Sequence, residues 1–263
     1  MITTWLRTFL NRRKLRWIQD HIHLESRRGY ELNRDTFPDR LTLPPRFGCG
    51  LPERAIEQMM IRLAYRPGES ILDLGHANAM PSHRRLLAEL PAPRNLTGLD
   101  IAEPVYDTRP LYARSVRADI TQNPFRDGEF QQIWCISTLE HFGGDNSGYT
   151  DQFIRDQGLA ARALQEMIRI LAPGGRLLIT VPFGRYENHG WFINYDQTRW
   201  NHLLEPCRRG FTIHEWFGRH TCGAGWQLVD PAELQFTGYY DQANSGAAGV
   251  AVACLVKHPA PAT

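Results

Sequence analysis

The chain has 263 residues, 42% of them hydrophobic and 22% charged, with a formal net charge of +2. That length suits one α/β domain with an extension and a large core, and the balanced charge gives no global case for a nucleic-acid or acidic partner. Five cysteines form no C-x-x-C pair, and Cys135 and Cys254 lie inside apolar runs, which points to buried thiols in a reducing, cytoplasmic setting. Met1 to Leu10 lacks the continuous apolar stretch and small-residue cleavage site of a secretory signal. The longest apolar run, Ala247 to Val256, is about half what a membrane-spanning helix needs.

Residues 1–46 read as an amphipathic helical extension. Ile2, Trp5, Leu6, Phe9, Leu10, Trp17 and Ile18 recur at helical spacing, with Arg7, Arg12, Arg13, Lys14 and Arg16 between them and no acid before Asp20. Two readings stand: a surface helix packing its apolar stripe on the core, or an interfacial helix on the inner face of a membrane, touching it through residues 1–18. Prolines and glycines from Arg34 to Gly50 predict an irregular connector. Residues 47–258 follow as the main domain, and 259–263 as a disordered tail.

A helix is predicted from Pro52 to Ala64, with Ile56, Met59, Met60 and Leu63 inward. Ile71-Leu72-Asp73-Leu74 is a short strand broken by Gly75, and small residues at Ala77 and Ala79 lead to a helix over Ser82 to Leu90 that Pro91-Ala92-Pro93 stops. A strand that ends in a small-residue turn and opens a helix is the form of a nucleotide-binding unit, because helix-entrance N–H groups can meet a ligand. Asn95 to Asp100 is a second strand ending in an acid roughly 25 residues after Gly75, the spacing of a ribose-binding carboxylate. Ser115 to Asp119 is a third strand closed by an acid. Gln131 to Ser137 is a nearly continuous apolar fourth, as a central parallel strand should be. A helix over Gly158 to Leu171 runs into Ala172-Pro173-Gly174-Gly175 and a fifth strand, Arg176 to Val181. The last two strands are predicted at Glu233 to Gly238 and Val250 to Val256.

The series ILDLGHANA, LTGLD, RADITQNPFRDGEF, ISTLEHFG and MIRILAPGGRLLITVPFG resembles class I S-adenosylmethionine-dependent methyltransferases over about Gly68 to Pro182. More loosely, GRYENHGWFINYD and the segments after it resemble methyltransferases of bacterial lipopolysaccharide and polysaccharide biosynthesis. The first resemblance implies a Rossmann-like fold: a seven-stranded, mostly parallel sheet in the order 3-2-1-4-5-7-6 with helices on both faces. It also implies S-adenosyl-L-methionine as cofactor.

By that resemblance Asp73, Gly75, His76, Ala77 and Asn78 meet the methionine end of the cofactor. Asp100 and Ile101 meet its ribose, Asp119 and Ile120 its adenine, and Ser137 lies beside the sulfonium. The turn departs from the family, with alanines at the positions of two customary glycines, so Asn78 is expected to supply left-handed backbone. His76 is either a cofactor contact or a turn histidine with a local hydrogen bond. A sugar hydroxyl needs a base, for which His141 is the first candidate, then Glu140 and His189. The alternative is that Glu140 and His141 only stabilise their loop. No compact run of carboxylates would hold magnesium, so no metal is assigned. The aromatics of Trp191 to Trp200 and Phe211 to Trp226 suit a carbohydrate surface or a covered sheet edge equally.

The expected function is O-methylation of a sugar hydroxyl in a bacterial glycan or its precursor. The acceptor is a carbohydrate or small molecule and not nucleic acid, and the sequence is silent on oligomeric state. The alternatives are a methyltransferase of a small natural product and a non-catalytic methyltransferase-like binding module. A nicotinamide oxidoreductase fits poorly, because the turn lacks G-x-G-x-x-G.

Overall fold

In a computed structural model of the protein, the described residues are 2–90, 95–148, 150–151, 155–156, 158–241 and 246–259, with side chains from 11 onward except 12. The predicted helix stop at 91–93 and the tail at 260–263 lie outside them. The helices are α1 (Ile2–Asn33), α2 (Arg54–Ala64), α3 (Pro81–Glu89), α4 (Leu159–Ile170) and α5 (Gln197–Leu204). The first five strands are β1 (Ile71–Leu74), β2 (Leu96–Asp100), β3 (Arg114–Arg117), β4 (Phe130–Ile136) and β5 (Leu171–Pro182). A small hairpin, β6 (Glu187–Asn188) and β7 (Ile193–Asn194), stands apart, followed by β8 (Phe211–Thr221), β9 (Gly225–Leu228) and β10 (Gly249–Lys257).

The main sheet runs β3-β2-β1-β4-β5-β10-β8-β9. Its first five strands are parallel, β10 is antiparallel to both β5 and β8, and β9 pairs antiparallel with β8. The expected seven strands in the order 3-2-1-4-5-7-6 are therefore corrected to eight, with β9 added at the edge. The predicted strand at Glu233 to Gly238 is also corrected. Asp230 accepts from Ala232 N at 2.8 Å while Glu233 accepts from Asp230 N, and with Pro231 this capping box starts a 3-10 turn over Pro231–Leu234. The strand there is β8, whose aromatic, mixed-polarity run pairs along the whole of β10.

Alternation along the central strands divides the core between two faces. Ile133 and Cys135 pack with α4 residues such as Leu164 and Met167 on one side. Trp134 packs with Ile71, Leu178 and the α2 residues Ile56 and Met60 on the other. Among the described side chains of α1, the buried Ile18 and Ile22 join this second layer. Gly29 lets it approach α2 closely, since a Cβ there would collide with the Met59 sulfur. Gln19 Oε1 accepts the Ser82 amide at 2.8 Å, so α1 also caps the start of α3.

Candidate active site

The C-terminal ends of the parallel strands surround a cavity of about 390 Å³. Its wall includes Asp73, Gly75 and Asn78 from the turn after β1, Asp100 and Ile101 after β2, Asp119 and Ile120 after β3, and Ser137 after β4. His141 and Trp191, with Arg54, Glu57, Gln58 and Ile61 of α2, also line it. Open parallel sheets place ligands at this end because every strand-to-helix turn presents its backbone there.

The turn needs left-handed backbone at one residue, Gly75 (φ 88°), where a Cβ would collide with the Thr138 hydroxyl. Asn78 has no positive φ, so its expected role in the turn geometry is corrected: the glycine alone supplies the reversal. Ala77 is fully buried and is not among the residues lining the cavity. Its amide donates to Asp100 Oδ2 at 2.8 Å, while Asp100 Oδ1 accepts from Ala102 N at 2.9 Å. Asp100 thereby ties the turns after β1 and β2 together, and burial pushes its carboxyl above the usual range despite these bonds.

Asp119 Oδ1 takes both the amide and the hydroxyl of Thr121, capping the short turn over Ile120–Gln122, and Oδ2 is left to the cleft. Asp73 is buried. Burial opposes its charge, but His83 Nε2 at 2.9 Å and the Tyr112 hydroxyl at 2.6 Å hold its carboxyl below the ordinary range. His83 lines the cavity and was not singled out from the sequence, because a histidine in the first turn of a helix gives no periodic signal.

His76 is not among the residues lining the cavity, and its ring makes a local hydrogen bond. The ring lies against β2, where a Cβ on Gly98 would be 2.5 Å away, and its Nε2 bonds Ser115 Oγ at 2.8 Å. The absence of a side chain on the neighbouring strand gives the imidazole its space.

Ser137 carries positive φ (42°), a sparsely populated conformation for a residue with a side chain. Three bonds hold it there. Its amide reaches Thr180 Oγ1 and Thr180 O, and its hydroxyl donates to Glu57 Oε1 at 2.5 Å. Glu57 also accepts from Thr180 Oγ1 (2.8 Å) and from Arg54 Nη1 (2.6 Å) and is fully buried. Burial opposes the charge of Arg54, yet Glu57 and Glu53 keep the guanidinium firmly protonated. This ionic network was missed from the sequence. Its signal was there: on the helical repeat Glu57 falls between the apolar Ala64 and Ile61, with an arginine three residues earlier.

Of the three candidate bases, only His141 lines the cavity. Its Nδ1 lies 3.1 Å from the Trp191 carbonyl. A carbonyl only accepts, so Nδ1 carries the proton and Nε2 is the basic nitrogen. Burial lowers its pKa to about 4. His189, the third candidate base, does not line the cavity: it is stacked on Phe192 and paired with Glu187 at 3.2 Å in the hairpin. Phe192 and Tyr195 are buried in packing, whereas Trp191, 47% exposed, stands at the rim.

Glu140 is likewise off the wall. It is buried with Oε2 unpartnered, and burial raises its pKa to about 8. Between its unfolded value of 4.5 and about 8 the folded chain holds a proton that the unfolded chain releases, so this group's contribution to stability falls as pH rises through that window. We expect Glu140→Gln to stabilise the protein above pH 8, by on the order of a few kcal/mol, and to change little below 4.5; thermal melts at both ends check this.

Residues 72–179 match the family Methyltransf_11, the methyltransferase domain. The match marks that segment as similar to a methyltransferase domain, and it supports S-adenosylmethionine as the cofactor of the cleft. The chain is 29% identical over 149 residues to the methyltransferase GfsG of Streptomyces halstedii, covering 54% of this chain and 48% of that protein. It thus spans about half the length of the curated relative it matches. Among solved structures it is similar to the 1,6-didemethyltoxoflavin-N1-methyltransferase of Burkholderia thailandensis, bound to 1,6-didemethyltoxoflavin and S-adenosylhomocysteine. That likeness has a TM-score of 0.45 and 16% identity, over 72% of this chain and 71% of that one. It is also similar to the MccD protein, with a TM-score of 0.49 and 16% identity over 78% and 98% of the two chains.

The residues present fit the cofactor. Asp100 and Asp119 are acceptor groups on one wall, as adjacent ribose hydroxyls and an adenine amino group require. The Gly75 turn brings bare backbone to the same cleft.

Proposed function

We propose that the chain is an O-methyltransferase acting on a sugar hydroxyl in a bacterial glycan or its precursor. The observation that carries this reading is the convergence of Asp100, Asp119 and the basic nitrogen of His141 on one cleft. When bound, S-adenosylmethionine supplies an electrophilic sulfonium methyl, so the protein has to place the acceptor in line and take its proton. Asp100 and Ile101 would hold the ribose, Asp119 and Ile120 the adenine, and Asp73, Gly75, Asn78 and Ser137 the methionine end. His141 Nε2 takes the hydroxyl proton, and the Trp191 carbonyl on Nδ1 then stabilises the imidazolium that forms.

We expect His141→Gln to lower kcat by about 10²–10⁴ while S-adenosylhomocysteine affinity holds. In the native chain the basic form is present at every pH above about 4, so the acid limb of the rate profile lies near pH 4 and not at 6.5. A pH–rate profile with its limb at 6.5 would assign the base elsewhere.

Ile61, Met80, Phe142 and Leu159 also line the cavity, and this apolar wall favours a second acceptor, the hydroxyl of a small natural product.

 Calorimetry with S-adenosylmethionine, S-adenosylhomocysteine and NAD tests cofactor choice. Transfer of a labelled methyl group to a panel of nucleotide sugars, lipid-linked glycans and phenols then tests the acceptor. Binding of the first two ligands without transfer to any acceptor would favour the non-catalytic binding module.

A further inference from the structure

The helix α1 has two unlike halves. From Ile18 onward it is anchored: Ile18 and Ile22 are buried, Gln19 caps α3, and Asp20 pairs with Arg85 at 3.2 Å. The five residues before that, 13–17, are all exposed. Successive helical residues are separated by about 100°, so five in a row cover the whole circumference, and this part of the helix stands clear of the body. Leu15 and Trp17 are 59% and 46% exposed there, and Leu24, two turns on from Trp17 along the outer face, is 56% exposed.

The charge of the N-terminal half is of one sign. Arg7, Arg12, Arg13, Lys14 and Arg16 carry five positive charges, and the first acid is Asp20. By sequence spacing Ile2, Leu6, Phe9 and Trp17 share an arc of the helical repeat that also holds Arg13, whereas Ile18 and Ile22 lie on the opposite side and are buried. A second copy of this helix would bring like charges together, which opposes self-association. No described helix is long and apolar enough to cross a membrane. Tryptophan and aliphatic residues interleaved with arginine and lysine suit the boundary between anionic headgroups and acyl chains.

We propose that the N-terminal half of α1 docks the protein on a bilayer surface rich in anionic lipid. The anchored half packs on α2 and α3, which contribute Arg54, Glu57 and His83 to the cavity wall, so docking sets the catalytic cleft beside the bilayer.

Co-sedimentation of the full chain with phosphatidylcholine vesicles, with and without phosphatidylglycerol, tests the proposal without any turnover. Its result is therefore independent of the methyl-transfer reading. Binding is expected only with phosphatidylglycerol, weakening as salt rises. The triple variant Arg13→Glu, Lys14→Glu, Arg16→Glu should lower the affinity by roughly a hundredfold or more with its melting temperature unchanged. Trp17→Ser should weaken it less, in keeping with loss of one apolar anchor. Equal binding to both vesicles, no binding to either, or full binding by the triple variant would overturn the proposal. So would a concentration-dependent dimer that Trp17→Ser dissolves, or tighter capture by RNA or an acidic protein than by the vesicles.

Discussion

Replacing Asp100 with alanine is expected to lower S-adenosylmethionine and S-adenosylhomocysteine affinity by at least about a hundredfold, the loss of two or more charge-assisted hydrogen bonds. The carboxylate has two tasks. It offers lone pairs to the cleft, and it accepts the amides of Ala77 and Ala102, which fixes the turns after β1 and β2 in relation to each other. Alanine strands both amides, at about 1–3 kcal/mol for each that stays buried, and loosens the wall that a ligand must meet. Asp100→Asn retains one acceptor oxygen and should fall between the two. Asp119→Ala should cost less, roughly tenfold, because the Thr121 cap it removes is worth about 1 kcal/mol. Calorimetry with S-adenosylhomocysteine on the three variants measures these differences. Unchanged affinity in a protein lacking both carboxylates would remove the basis for the cofactor site described above.

The second large effect is expected at Glu57. Glu57→Leu removes the shared acceptor of Arg54, Ser137 and Thr180 at once, leaving the guanidinium with Glu53 at 3.8 Å and the two hydroxyls without that acceptor. Breaking a buried pair on one side costs about 3–5 kcal/mol, a fall in melting temperature of roughly 10 °C for a chain of this size. Arg54→Met alone should also destabilise, because Glu57 then keeps its charge without the cation. The double variant should recover part of the loss, and a coupling of about 0.5–3 kcal/mol is expected from the cycle. Ser137 supplies a second readout. Without Glu57 nothing takes its hydroxyl proton, and the left-handed backbone beside the cleft is free to relax, so cofactor affinity should fall as well. Additive single effects would mean that the network is three separate contacts.

How much of this was legible before folding differs from residue to residue. The central strands were readable because residues buried on both faces leave continuous apolar runs, as in Gln131 to Ser137. Asp100 and Asp119 were readable because strand ends in this architecture all point to one edge. The edge strands were not. The Phe211–Thr221 run mixes aromatic and polar residues because much of it is only half covered, so it resembled a recognition surface, while the capping box at Asp230 turned a predicted strand into a 3-10 turn. Periodicity in the first 18 residues suggested one apolar face. The structure separates Ile18, on the core, from Trp17, on the outside.

The amino-acid sequence by itself determined the order of strands and helices through the parallel half of the sheet, the glycine reversal after β1, and the carboxylates that close β2 and β3. These depend on local periodicity, backbone freedom and chain direction, which neighbours along the chain decide. Only the tertiary structure decided that His76 turns toward Gly98 and His141 toward the cleft, and that a carboxylate from α2 holds Ser137 in place across 80 residues of chain. Such pairings depend on the space left by another strand and on partners distant in sequence, and no local pattern carries that information.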